Sequence, residues 1–417
     1  MWLFIQSNDT LFFRAGRPFE AGTDVWIETV FPPFPHTVYG MLRTLIAHKA
    51  LTRPDYDDLL SGIKDDSYKK LLGTKDSIGT LSIQGPLLGH EWGGSVEIFL
   101  PLPQDLFLLS GKKRDTHYLL QPKKNNQDLS AFSDMSCQLK PLSFAKDVED
   151  SAFLEPVSDM LSGPSLITYL KGECNSNTSY IRRHLRFERF LTEESSAIIA
   201  RDDNLSAREG YLARPRHVRL QDGLSFENKG LLIRLVGLND DQKKYLEKYF
   251  NTSQIAQLGG EGRTVSVNIG KPDLPKNRID EMVNQIVDTG RFRTVLTSPG
   301  YFPKTGFLPD FIGDNLEGDW EIDGKKRCVR LVSVVSGSAR AIGGWDLARK
   351  RPRKVVKTVP AGSVFFFKIV NYEKKNDGEW LTMLVQSSLP GTLPGGDEDY
   401  QKKGFNTFFI GGWDYVS

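Results

Sequence analysis

Residues Phe31 to Ala47 constrain the fold more than any other stretch. The run Phe31-Pro32-Pro33-Phe34-Pro35 forbids a helix before it. After it, Val38, Met41, Leu42, Leu45 and Ile46 recur at helical spacing, and Thr37 is placed to cap the start. Strand-like segments flank this helix. Trp2 to Arg14 is apolar and aromatic, broken at Asn8-Asp9, and residues 78–89 and 96–110 read as two strands joined by a turn from Gly89 to Gly94. Strand–helix–strand–strand is the opening of a βαββαβ ferredoxin-like (RRM-type) domain, so the fold class expected is α+β.

The same kind of pattern returns later. Leu231 to Val236 reads as strand, Asp240 to Phe250 as helix with Asp240 in its first turn, and Thr264 to Ile269 as strand. Further strands are expected over 294–297, 329–335, 364–370, 380–386 and 405–410, and one earlier over 210–220. Residues 111–205 are polar with weak periodicity and read as helical and loop insertions. A chain of 417 residues exceeds one ordinary core. Two domains are expected: 1–222, carrying the insertion, and 223–417.

Composition narrows the class. The chain is 39% hydrophobic and 25% charged, which suits a globular protein. Cys137, Cys174 and Cys328 form no CxxC pair, so neither a disulfide framework nor a zinc ribbon is indicated. Free thiols fit a reducing compartment, and a cytoplasmic location is expected. The start, Met1 to Ser7, lacks the basic region of a signal peptide, and no run of eighteen apolar residues occurs.

A net charge of only +2 hides clustered cations. Arg349, Lys350, Arg351, Arg353, Lys354 and Lys357 place six cations in nine residues, directly after Gly343-Gly344-Trp345-Asp346. A basic hairpin or loop beside a sheet there would meet phosphate. Arg182, Arg183, His184, Arg186 and Arg189 alternate with Tyr180, Phe187 and Phe190; Arg214 and Arg216 share one face of a strand. Arg14 and Arg17 flank a glycine turn and Arg43 sits on the first helix. Gly259-Gly260-Glu261-Gly262-Arg263 is either an anion nest or a tight turn. The tetrapeptide Gly-Gly-Trp-Asp recurs at Gly411 to Asp414, after Gly404-Phe405-Asn406, and exposed N–H groups of such a glycine-rich loop could face an anion. These features point to a nucleic-acid backbone as ligand. The contacts expected are Arg14, Arg17, Arg43, Gly259, Gly260 and Arg263, with Arg349, Arg351 and Arg353, and the glycine-rich loop Gly404, Gly411 and Gly412.

Catalytic patterns are sparse. There is no Walker loop, Rossmann fingerprint, HExxH or zinc-deaminase pattern. His36 and His48 bracket the first helix and could serve metal-independent RNA cleavage with a nearby lysine. Gly395-Gly396-Asp397-Glu398-Asp399 is similar to the Gly-Gly-Asp-acid hairpin of nucleotidyl cyclases, but its flanking prolines and lysines read as an exposed loop. No metal, cofactor or catalytic residue is assigned.

Five segments taken in order resemble one family. They are Leu11 to Gly22, Pro32 to Thr44, Leu258 to Arg263, Gly343 to Phe367 and Gly404 to Trp413. The chain resembles the RAMP proteins of CRISPR effector complexes, most of all the third-subunit family of the type III-B (Cmr) complex. The resemblance implies two ferredoxin-like domains and a glycine-rich loop near the C-terminus. It implies a non-catalytic role: binding the 5′ repeat-derived tag of crRNA, docking the large polymerase/cyclase-like subunit and the RAMP backbone subunits, and meeting target RNA only indirectly. One departure is Asn406, where the family's loop carries its second glycine.

Overall fold

The computed structural model describes the chain except residues 15–25, 51–65, 75–76, 110–116, 125–138, 145–153, 157–158, 173–183, 187–189, 221–227, 275, 347–348 and 417. Two antiparallel sheets organise it. The larger has eight strands in the order His184–Arg186, Asp159–Ser162, Ser95–Pro101, Ser82–Trp92, Asn228–Val236, Trp2–Ser7, Thr264–Ile269 and Gln254–Gln257. The second has six, in the order Glu317–Ile322, Lys325–Val335, Val364–Ile369, Arg291–Leu296, Thr407–Gly412 and Gly391–Thr392.

The first helix runs Pro35–Ala50. It starts before Thr37, the expected cap, because Pro35 itself takes the first helical position, where a missing N–H costs nothing. The helix Asp240–Phe250 carries a full capping box: the Asn239 side chain accepts from Gln242 N, and the Gln242 side chain accepts from Asn239 N. Strand alternation then sorts the core. Leu3, Ile5, Leu231, Ile233, Val265 and Val267 face the two helices, in one cluster with Val38, Leu42 and Leu246. Phe4 and Leu232 point the other way, into a cluster shared with Phe292, Val364, Phe366 and Phe409 of the second sheet. The two sheets are thus joined by one continuous apolar core.

Three expectations are corrected. The segment 380–386 is not a strand but part of the helix Lys374–Ser387, because Trp380, Leu381, Leu384 and Val385 are buried together at helical spacing. The described parts of 111–205 are mostly short strands, among them His117–Pro122, Leu142–Phe144 and Leu154–Pro156, with one helix at Gly163–Leu170. Strands on both sides of residue 222 share the first sheet: Asn228–Val236 lies between Trp2–Ser7 and Ser82–Trp92.

A buried polar clasp ties the second sheet to the turn after Ser95–Pro101 and to the helix Gly163–Leu170. Arg293 and Asp105 are both fully buried; Arg293 Nη1 lies 3.0 Å from Asp105 Oδ2. Tyr169 donates its hydroxyl to Asp105 Oδ1 at 2.7 Å, and the Arg293 guanidinium lies 4.1 Å over the Tyr169 ring. Burial pushes the Asp105 carboxyl up, and Arg293 opposes it.

Candidate nucleic-acid interface

Three pieces of chain meet where the first helix enters the junction between the sheets. His36, Tyr39 and Arg43 fall on one face of Pro35–Ala50, at the spacing of successive helical turns. The second piece is a two-part basic hairpin. Arg340–Ile342 pairs with Val356–Thr358, and Trp345–Asp346 pairs with Arg351–Pro352. Ile342 and Val356 anchor its base by packing with Phe405, Phe34, Tyr301 and Tyr400. The third piece is the short helix Glu398–Lys402 with the turn Lys403 to Asn406.

Geometry locks these pieces onto His36. Its ring stacks on Phe405 at 6.0 Å and 3°, and on Phe34 at 5.9 Å and 22°. Gly344 has φ +147°, and a Cβ there would sit 2.9 Å from His36 Nε2, so only glycine lets the hairpin approach. Arg353 N donates to Gly344 O at 2.9 Å and its Nε to Trp345 O at 3.2 Å. Arg43 donates to Thr74 O at 3.3 Å, while its buried Nε has no hydrogen-bond partner among the described residues. Lys403 Nζ lies 5.2 Å over the Tyr400 ring.

The result is a half-buried group of cations. No carboxylate of the described residues stands within ion-pair distance of Arg43, Arg353 or Lys403. Burial lowers the Lys403 ammonium, with Arg353 and Arg43 adding repulsion. Burial likewise lowers Arg43, with Arg353 adding to it and Asp346 opposing. His36 is pushed down to about 4, first by burial and then by Arg353 and Lys403. It is neutral at physiological pH. His48 is exposed at the other end of the helix, about 18 Å along its axis at 1.5 Å per residue. The two histidines therefore cannot flank one phosphodiester.

The other expected contacts are dispersed. Arg14 is exposed and bridges to Thr29; Arg17 lies outside the described residues. Arg349 and Arg351 are exposed on the hairpin, where Arg349 N donates to Asp346 Oδ1 at 3.2 Å. Residues 258–263 form a closed turn: Gly260 N donates to Phe12 O at 2.8 Å and Arg263 N to Gly260 O at 3.3 Å. A Cβ on Gly259 would lie 2.4 Å from Phe12 O, which explains the glycine by packing. Glu261 reaches from this turn to His217 at 2.7 Å, and Arg263 pairs with Asp9 at 3.0 Å. Arg219 also pairs with Asp9 and Glu194, so Arg263 belongs to an interlocked acid–base network. Arg214 and Arg216 lie 5.5 and 4.9 Å from the half-exposed ring of Trp26. Of the arginine-rich segment after Tyr180, only the backbone strand His184–Arg186 and Phe190 are described.

The glycine-rich loop differs from expectation. Gly404, Gly411 and Gly412 are buried. Gly404 N donates to Gln401 O, and Gly411 and Gly412 lie in a strand facing Arg293 and Phe292. Buried in this way, the three glycines do not present an open amide nest to solvent. Asn406 takes φ +60°; its Oδ1 accepts from Tyr301 N at 2.7 Å and its Nδ2 donates to Gly395 O at 3.0 Å. The side chain that replaces glycine thus ties two loops to the turn. Asp397 caps Glu398–Lys402 by accepting from Tyr400 N, and no group of three candidate metal ligands occurs among the described residues.

Sequence reasoning singled out Arg43 and Arg353 but missed Lys403, whose only local signal is its place just before Gly404.

Comparison with known proteins gives the family. The model of a family described as CRISPR-associated protein (Cas_Cmr3) matches residues 3–413. The chain belongs to that family. Membership bears out the resemblance drawn from the five sequence segments. Among solved structures, the chain is similar to one in the cryo-EM structure of the Type III-B Cmr-beta bound to cognate target RNA. That pair has 15% identity and a TM-score of 0.47, covering 98% of this chain and 96% of the other. A second, from the same complex with cognate target RNA and AMPPnP in state 1, has 14% identity and a TM-score of 0.46 over the same shares. No curated protein matches the sequence. Among the described residues, no helix is long and apolar enough to cross a membrane.

Proposed function

We propose that this CRISPR-associated protein is a non-catalytic RNA-binding subunit of a type III-B effector ribonucleoprotein. It anchors the 5′ repeat-derived tag of crRNA and docks the large polymerase/cyclase-like subunit and the RAMP backbone subunits, in the cytoplasm. The observation that carries the RNA half is the convergence of Arg43, Arg353 and Lys403 without paired carboxylates, beside the exposed cations Arg349 and Arg351. Such a surface suits the phosphates of an unpaired strand. The contacts expected from the sequence at Arg14, Arg17 and Arg263 remain part of this reading, with Gly259 and Gly260 shaping the turn that holds Arg263. The docking half rests on membership of the Cas_Cmr3 family.

Strand order supports reading each sheet as a ferredoxin-like domain. Trp2–Ser7, Pro35–Ala50, Ser82–Trp92, Asn228–Val236, Asp240–Phe250 and Thr264–Ile269 follow the βαββαβ sequence, with the third strand beside the first. In the second sheet Arg291–Leu296, Lys325–Val335, Val364–Ile369, Lys374–Ser387 and Thr407–Gly412 repeat that order, with residues 297–316 in place of the first helix. This favours a division near residue 270 over one at residue 222.

The test is titration of the purified chain with single-stranded repeat RNA at several salt concentrations, in EDTA. With about five phosphates neutralised, log K falls with log salt at a slope of about −3.5. A slope near zero refutes the reading. Specific cleavage that His36→Ala abolishes would make the protein a metal-independent endoribonuclease instead.

A further inference from the structure

We propose that Arg43, Arg353, Lys403 and Trp345 form a seat for one nucleotide of single-stranded RNA, its phosphate among the three cations and its base on the tryptophan ring. The proposal rests on the RNA-binding reading and narrows it to one place.

Four observations carry it. The three cations come from three separate pieces of chain, the first helix, the basic hairpin and the turn after Glu398–Lys402, so the chain brings them together only by tertiary folding. Each is half-buried, where holding like charges together is unfavourable without an anion. The acids nearby stand outside ion-pair distance: Asp346 acts on Arg43, and Asp397 and Asp399 on Lys403, by longer-range attraction alone. Two guanidinium groups and an ammonium offer more donors than one carboxylate accepts, whereas a phosphate presents oxygens in several directions.

Trp345 decides between a phosphate alone and a nucleotide. Trp345 is 54% exposed, although Arg353 fixes its backbone carbonyl. An aromatic face held open beside a phosphate-binding guanidinium is a stacking platform for an unpaired base. Beside the seat, Phe34, His36 and Phe405 form a stack at the start of the first helix and on the C-terminal turn. An occupied seat bridges the first helix, the hairpin and the C-terminal turn, so binding stabilises the junction between the two sheets.

Two measurements on the full chain test this. The first is thermal unfolding with inorganic phosphate against chloride at equal ionic strength. The melting temperature rises with phosphate in the wild type and in Lys244→Gln, an exposed cation on the helix Asp240–Phe250, and the rise disappears in Lys403→Gln and Arg353→Gln. The second is binding of repeat RNA carrying a single methylphosphonate at successive positions. One position weakens wild-type binding about tenfold, the loss of one charge-assisted contact, and has no effect in Lys403→Gln. Trp345→Ala weakens RNA binding but leaves the phosphate response intact.

No phosphate-specific rise, or an equal rise in Lys403→Gln, overturns the seat. An equal rise with acetate makes it a carboxylate site and overturns it too. If the phosphate response behaves as expected while the chain binds no RNA, the phosphate seat stands and the RNA-anchoring reading falls. If RNA binds with the expected salt slope and Lys403→Gln binds like wild type, the seat falls and the anchoring reading stands.

Discussion

Replacing His36 by phenylalanine isolates the cost of protonating an imidazole that is buried first and beside cations second. The folded protein holds this imidazole at about 4, against 6.5 for an ordinary histidine. A histidine with a lowered folded pKa destabilises the fold as pH falls, because the unfolded chain takes up a proton that the folded chain refuses. The loss begins as pH drops through 6.5 and is complete below the folded value. Between about pH 7.5 and about pH 5 it amounts to about 2 kcal/mol, and over the full range to about 3 kcal/mol. Phenylalanine keeps the stack between Phe34 and Phe405 and has no proton to bind. Urea unfolding of wild type and His36→Phe at the two pH values removes the contribution of every other group by difference. The wild type should lose about 2 kcal/mol more than the variant on acidification. Equal losses within about 0.5 kcal/mol would refute the reasoning. They would mean that neither burial nor the neighbouring cations hold the proton off His36.

Two further outcomes follow from packing. Arg293→Met leaves the Asp105 carboxylate fully buried without its guanidinium and should cost about 3–5 kcal/mol in denaturant unfolding; adding Asp105→Leu should recover part of that, and a double variant as unstable as the single one would show that the clasp is not acting through charge. Gly404→Ala places a Cβ 2.5 Å from Gly85 O at φ +95° and should cost about 2 kcal/mol or more. At Gly343 an added Cβ meets only the Val355 side chain, at 3.4 Å, so Gly343→Ala should change the melting profile little, and equal effects at the two glycines would refute the packing account.

Where local patterns decide a structure, the sequence was readable. The proline run and its following stripe revealed the first helix, and the alternation in Thr264–Ile269 revealed a strand with the observed bounds. The helix Asp240–Phe250 was legible with an acidic residue in its first turn, and the structure adds the Asn239 capping box. Lys374–Ser387 was misread as strand over 380–386 because a tryptophan and clustered aliphatics suit either element when burial is unknown. The boundary at residue 222 followed chain order, whereas strand pairing across an insertion is a long-range choice that leaves no local trace.

The tetrapeptide Gly-Gly-Trp-Asp makes the division plain, since the chain carries it twice. Residue order is enough for the inventory: the α+β class, the basic run, the glycine turns and the family they belong to. Folding assigns each copy its part. In the second copy Trp413 is 1% exposed and its Nε1 donates to Phe292 O and Phe367 O, so the motif is core. In the first, Trp345 is 54% exposed on a hairpin beside three converging cations. Identical residues take opposite roles because burial and charge are set by neighbours distant in the chain, and those neighbours are chosen only when the two sheets close on one another.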